Sequence, residues 1–280
     1  MGVTGRTFLQ PTSKGDRKLE VTLWYPGTSA PTDAKTAPAR DIAPAEGARF
    51  PVVVYSHGGC GGDPASIEPL AVFLASRGFA FVQFPHPGSS RGDCASEGAK
   101  WAEALLERPD DIRYVLDALA RLDTDSSWGL SQRLDPSRAG LLGHSQGGQV
   151  AFLLPVVDNR VRAAIAISPS VAHPDTPRRV WESVSRSTCP TLIIYGQRDS
   201  TWTVDGPRRA YEGLPPATPA GFLQIAGMGH TPAIRADVEM IERYVLAWLL
   251  RYLKSDNSDL RLLSTAATPD GVRFETRNVQ

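Results

Sequence analysis

Apolar and polar positions along the chain fall into blocks whose period switches between about 2 and about 3.6, the marks of strands and helices. Residues 19–25, LEVTLWY, alternate like an outer strand. They follow TFLQPTSKGDRK, in which Gly15-Asp16 suits a turn between two antiparallel strands. Residues 27–49 are rich in Ala, Pro, Thr and Gly without periodicity, which predicts a surface loop. PVVVYSHGGCGG (51–62) is a β-branched run that ends in glycines, as expected of a buried strand followed by a loop needing close backbone approach. SIEPLAVFLASRG (66–78) predicts a helix, and FAFVQF (79–84) a second buried strand. In DDIRYVLDALARL (110–122), Ile112, Val115, Leu116 and Leu119 form one apolar helix face behind two aspartates at its start.

The alternation continues with AGLLGH (139–144) as a short strand, QGGQVAFLL (146–154) as a helix stopped by Pro155, and VRAAIAI (161–167) as a strand. TLIIY (191–195) and GFLQI (221–225) are two more strands, and Val238, Ile241, Val245, Trp248 and Leu249 share one stripe of a helix over 236–253. Near-continuous apolar strands alternating with helices predict an α/β protein with a mostly parallel central sheet covered on both faces. Residues 1–280 are expected to form a single domain, with N-terminal antiparallel strands over 1–26, a surface loop over 27–50 and a polar tail over 254–280. In that tail GVRFET is β-like, an edge strand or a loose segment.

Composition narrows the possibilities. Lys+Arg and Asp+Glu balance at 30 each, so no basic field draws the chain to nucleic acid or anionic lipid. No apolar run reaches the length of a membrane span. The start, MGVTGRTFLQ, lacks the basic-then-apolar pattern of a signal peptide, which makes a cytoplasmic location the expectation unless a signal precedes this numbering. Cys60, Cys94 and Cys189 are too few and too scattered for a zinc site or a disulfide framework. They are either three free thiols or include a Cys60–Cys94 bridge, since both of those follow consecutive predicted strands.

The candidate chemistry centres on GLLGHSQGGQV (140–150). Ser145 sits between a short apolar strand and a helix, with Gly143 and Gly147 on either side. A sharp strand–turn–helix strains the serine and tolerates only small neighbours. A phosphate-cradling turn would need G-x-G-x-x-G or a following Gly-Lys-Ser/Thr, and neither occurs. A serine hydroxyl needs a base, and the base needs an acid to hold its tautomer. For a serine on such a turn the partners follow in the order Ser, Asp/Glu, His. Only His173 and His230 follow Ser145. His173 lies in SVAHPDTP, a surface turn, whereas His230 in AGMGH stands just beyond the last buried strand. His230 is the expected base.

Of Asp158, Asp175, Asp199 and Asp205, Asp199 in YGQRDS follows the strand before the histidine and is the expected acid. Asp158 lies at the wrong end of a strand, Asp175 caps the helix begun by Pro177, and Asp205 is the remaining alternative. The backbone N–H of Gln146 is one expected oxyanion donor. The second comes from HGGCGG, with Gly59 favoured over Cys60.

At these residues the sequence resembles the α/β-hydrolase superfamily. Within it the chain is similar to the platelet-activating-factor acetylhydrolase and dienelactone-hydrolase-like branch. The matching pieces are VTLWYP, SHGGCGG, FPHPGSS, ERPDDIRYVLDAL, GHSQGG, ISPS, TLIIYGQRD and GMGH, of which HPGS and RPDDIRYVLD are most particular to the branch. The resemblance implies an α/β-hydrolase fold and a Ser145–Asp199–His230 triad with donors at Gly59 and Gln146. It also implies a serine carboxylic-ester hydrolase that works through an acyl-enzyme on a small-molecule ester, with no metal or organic cofactor. Two features depart from the branch: dienelactone hydrolases use a cysteine nucleophile, and acetylhydrolases of this type carry a larger apolar residue where Gly59 stands. A thioesterase or amidase with the same triad, or a non-catalytic binding protein of this fold, are the alternatives.

In this fold a cap is commonly inserted after the strand that here reads VRAAIAI. Residues 168–190, in which TPRRVWESVSRS reads as one helix, are too few for a separate cap domain. Residues 89–108 are expected to form a rim or one short helix. An uncapped site offers little apolar wall, and burial is worth roughly 0.8 kcal/mol per CH₂. The expectation is therefore short acyl groups, roughly two to six carbons on that per-methylene scale.

Overall fold

A computed structural model describes residues 1–28, 38–94, 98–172, 176–201, 203–231, 235–264, 268 and 270–279. His173, Asp175 and part of the 27–49 loop lie outside the described residues.

The N-terminal pattern folds as a hairpin. β1 (Gly2–Gln10) pairs antiparallel with β2 (Arg17–Tyr25), with Gln10 opposite Arg17. Gly15 turns the chain at φ 106°, a conformation open to glycine, and its N–H bonds the Thr12 carbonyl at 3.1 Å. In the following loop a two-residue strand, β3 (Ala39–Arg40), lies parallel to β1.

The β-branched runs become buried central strands. β4 (Phe50–Ser56), β5 (Ala80–Gln83), β6 (Leu134–His144), β7 (Val161–Ile167), β8 (Thr191–Gly196) and β9 (Ala220–Ile225) pair in parallel. The tail strand β10 (Val272–Arg277) closes one edge, antiparallel to β9. The full sheet order is β10-β9-β8-β7-β6-β4-β5-β2-β1-β3. This is the mostly parallel sheet of an α/β-hydrolase fold. β6 starts five residues earlier than the apolar pattern, because Leu134 and Asp135 pair with β4 before a register shift.

Alternate side chains feed two cores. Val52 and Val54 face α2 (Gly98–Asp123), α3 (Gln146–Leu153), α4 (Arg178–Val184) and α5 (Asp205–Gly213). Val53 and Tyr55 face α1 (Glu68–Ser76) and α6 (Arg235–Leu253). Pro155 falls in a 3-10 turn over Leu154–Val156 that ends α3.

The segment 98–108 is not a rim or separate short helix but the first part of α2, which runs on through Pro109. Asp110 and Asp111 consequently sit inside the helix and not at its start. Proline lacks the N–H for the bond back to residue i−4. Burial of Trp101, Leu105, Arg108, Ile112, Val115 and Leu116 outweighs that local loss.

Candidate active site

Loops meet at the C-terminal edge of the parallel strands, and each sequence-predicted triad residue lies on one of them. Ser145 stands between β6 and α3 at φ 54°, ψ −116°, a left-handed conformation that is strained for a side-chain-bearing residue. Its glycine neighbours are demanded by space. A Cβ on Gly143 would lie 2.0 Å from the Gly147 carbonyl oxygen, and one on Gly147 would lie 1.9 Å from that of Ser56. On Gly148 a Cβ would approach Pro169 to 2.8 Å. The turn is as tight as the G-x-S-x-G pattern demands.

His230 follows β9, and its Nε2 lies 3.0 Å from the Ser145 hydroxyl oxygen. On the other side of the ring Nδ1 bonds Oδ2 of Asp199 at 2.8 Å. The Asp199 side chain is wholly buried after β8, and its Oδ1 accepts the Thr201 N–H at 2.8 Å. Of the other aspartates, Asp205 occupies the exposed first turn of α5, and Asp158 pairs with Arg160.

Cys60 donates its N–H to the Ser89 carbonyl at 3.1 Å, which removes it as a free donor. Among the described residues the N–H groups of Gly59 and Gln146 have no hydrogen-bond partner. The carbonyl of the Gly58–Gly59 peptide is held by the His57 ring at 2.6 Å and by the Gly61 N–H at 3.2 Å. His57 Nε2 accepts the His86 N–H at 2.9 Å, so its proton resides on Nδ1 and points at that carbonyl.

Cys60 and Cys94 form a disulfide with Cα atoms 5.2 Å apart, and Cys189 is a buried free thiol. Around the bridge, Gly61 pairs with Ser90 and the Arg91 N–H bonds the Gly61 carbonyl at 2.9 Å. The loop carrying Gly59 is thus stitched to residues 89–94. Such support keeps a site rigid.

Ser145 opens into a cleft of about 530 Å³, within the range of small-molecule sites. Its apolar wall includes Tyr55, Ile67, Leu70, Ile167, Val238 and Ile241, and His230 and Gly59 stand along it with Ser145. Among the described residues no cluster of His, Cys, Asp or Glu could hold a metal ion. No helix there is long and apolar enough to cross a membrane.

Four histidine and arginine side chains around the site were given no role by sequence reasoning. His144 Nε2 bonds the His230 carbonyl at 2.9 Å, and burial lowers its pKa to about 4, so it latches the loop bearing His230 in neutral form. Burial also lowers His57 to about 2 and His86 well below its ordinary value, and burial brings Arg108 down to about 9. The clue to His86 and Arg108 was their place in the branch-particular pieces HPGS and RPDDIRYVLD. No local pattern showed that the two pieces meet.

These buried histidines carry a consequence for acid stability. With folded-state pKa values below the unfolded value near 6.5, the unfolded chain binds more protons as pH falls. Stability from His57 and His86 is complete above about pH 6.5 and declines below it, for His57 by about 2 kcal/mol at pH 5. Urea unfolding at pH 7 and pH 5 should show His57→Gln losing less stability between the two than the wild type. Equal losses in both would contradict the assignment.

The chain belongs to the PETase (PET hydrolase-like) family, whose model matches residues 48–274. It is similar to a cutinase of Thermobifida alba, 27% identical over 197 residues, or 70% of this chain and 57% of that protein. A cutinase of Thermobifida cellulosilytica is 28% identical over 197 residues, covering 70% of this chain and 66% of its own. Bis(hydroxyethyl) terephthalate hydrolase of Streptomyces coelicolor is 29% identical over 153 residues, 54% of this chain and 46% of its own. The matches span less than two thirds of the length of each of these relatives.

Proposed function

We propose that the protein is a serine carboxylic-ester hydrolase that works through an acyl-enzyme. The observation that carries this reading is the relay from Ser145 through His230 to Asp199, with contacts of 3.0 and 2.8 Å on a strained turn beside a cleft. Ser145 attacks the ester carbonyl while His230 takes its proton and then delivers it to the leaving alcohol. Asp199 orients the imidazole and stabilises its charged form. The Gly59 and Gln146 N–H groups receive the developing oxyanion. Water, activated by His230, then releases the acid.

The relatives' names support the ester class, and one of them is a hydrolase of a bis(hydroxyethyl) ester of terephthalate. For this chain the finer proposal is a compact acyl group. The cleft is open and bounded by α1 and α6, with no cap inserted between β7 and α4 among the described residues. A kinship with the acetylhydrolase and dienelactone-hydrolase-like branch is a finer reading still, and it rests on HPGS and RPDDIRYVLD. The compartment is a proposal of the same kind. Disulfides persist in oxidising surroundings and are rare in the cytosol, so the Cys60–Cys94 bridge favours an oxidising compartment over the cytoplasmic expectation.

A p-nitrophenyl ester series from acetate to palmitate, with bis(hydroxyethyl) terephthalate alongside, tests the substrate reading. The expected kcat/KM is highest for acyl groups of roughly two to six carbons, because unburied methylenes forfeit about 0.8 kcal/mol each. A steady rise through the long chains would replace the compact-acyl reading with a lipase one.

A further inference from the structure

We propose that Arg108 is the positioning residue that holds the two oxyanion segments in register; this rests on the ester-hydrolase reading above. The segments come from different parts of the sheet edge, residues 57–62 after β4 and Gln146 at the start of α3. Arg108 reaches them from α2 and touches both. Its Nη1 donates to the His57 carbonyl and, at 3.1 Å, to the Ser56 hydroxyl oxygen. Its Nη2 donates to Gln146 Oε1 at 2.7 Å and to the Ser89 hydroxyl oxygen at 2.5 Å. Ser89 completes the ring, giving its hydroxyl proton to Gln146 Oε1 at 2.8 Å while its carbonyl accepts the Cys60 N–H.

The nature of the group argues for this role. Arg108 is fully buried, and among the described residues no carboxylate bonds its guanidinium. A buried charge with no bonded counter-ion is expensive, even with the Asp111 carboxylate nearby, and a well-packed apolar residue would stabilise the same space at least as well. What an apolar residue lacks is a rigid planar fork that reaches two loops at once. A second layer supports the fork. His86 and Arg17 both bond Asp111, one turn further along α2, and His86 in turn holds His57. The motifs around 86–90 and 108–117 thereby converge behind the Gly59 loop.

Oxyanion donors act only when they lie at hydrogen-bond distance from the charged oxygen of the transition state. Loosening their register weakens the transition state more than the bound ester, so kcat should fall while KM holds. The test uses Arg108→Lys, which keeps a cation without the fork, and Gln146→Met, which keeps the backbone N–H without the acceptor. Turnover is measured per active site titrated with a fluorophosphonate, together with inhibition by phenylboronic acid, a mimic of the tetrahedral adduct. Each variant is expected to lose about 10- to 100-fold in kcat, somewhat less than outright deletion of a donor. KM should stay within about twofold, and the boronate inhibition constant should rise in step with the fall in kcat/KM. The double variant should be no worse than about the poorer single one, since both break the same link.

Turnover per titrated site within about threefold of wild type in Gln146→Met would overturn the proposal, even if Arg108→Lys fails to fold. So would a loss that appears only as fewer titratable sites, which would make Arg108 a packing residue. Failure of the underlying reading looks different: the wild type itself would not titrate, and both would fall together.

Discussion

Ser145→Ala should abolish ester turnover, lowering kcat by about 10⁶-fold, while leaving the protein folded. In the proposed mechanism the hydroxyl is the group that attacks, and among the described residues its bond is to His230 Nε2 at 3.0 Å. Alanine keeps the Cβ that already fits the turn at φ 54°. It removes no helix cap either, since the Ser145 side chain makes no capping bond to α3. Stability should therefore change by less than about 1 kcal/mol. Steady-state kinetics on p-nitrophenyl acetate with a thermal melt of the same preparation makes the comparison. Residual activity above about a tenth of wild type, where triad losses run to many orders of magnitude, would remove Ser145 from the mechanism.

Asp199→Asn should slow turnover by about 10⁴-fold with little change in stability. The geometry explains why an isosteric change is so damaging. The Thr201 N–H, 2.8 Å from Oδ1, needs an oxygen acceptor and so turns the new amide with its oxygen toward Thr201. The NH₂ then faces His230 Nδ1, where the carboxylate oxygen now sits at 2.8 Å. A donor in that place forces the imidazole proton onto Nε2, the nitrogen that must accept from Ser145. Asp205→Asn is the control. Its carboxylate lies in the exposed first turn of α5, so activity should stay within about threefold of wild type, as for a surface change. A mild effect at Asp199 with a severe one at Asp205 would mean that the other carboxylate orients the base.

Much of this arrangement was legible in the sequence because it is written in backbone constraints. The glycines at 143 and 147 are required because a Cβ there would come within 2.0 and 1.9 Å of backbone oxygens, and such close approach marks the chain locally. Asp199 and His230 could be chosen because each follows an apolar run, and apolar runs locate strand ends. The hidden parts depend on distant contacts. Helix α2 crosses Pro109 because buried side chains on both sides of it outweigh the lost backbone bond. Helix α5, DGPRRAYEG, has Gly206, Pro207, Ala210 and Tyr211 on its buried face, so no stripe of large apolar residues announces it. The Arg108 cluster joins residues from five separate stretches of chain, and no spacing rule reaches that far. The disulfide was only one of two readings until the loops bearing Cys60 and Cys94 came within 5.2 Å.

The central claim is that Ser145 is the nucleophile of a catalytic relay. The most direct test is fluorophosphonate labelling of the whole protein followed by peptide mapping. A single stoichiometric adduct on Ser145 is expected, absent from Ser145→Ala and strongly slowed in His230→Ala. No adduct, or an adduct on another residue that persists in Ser145→Ala, would contradict it.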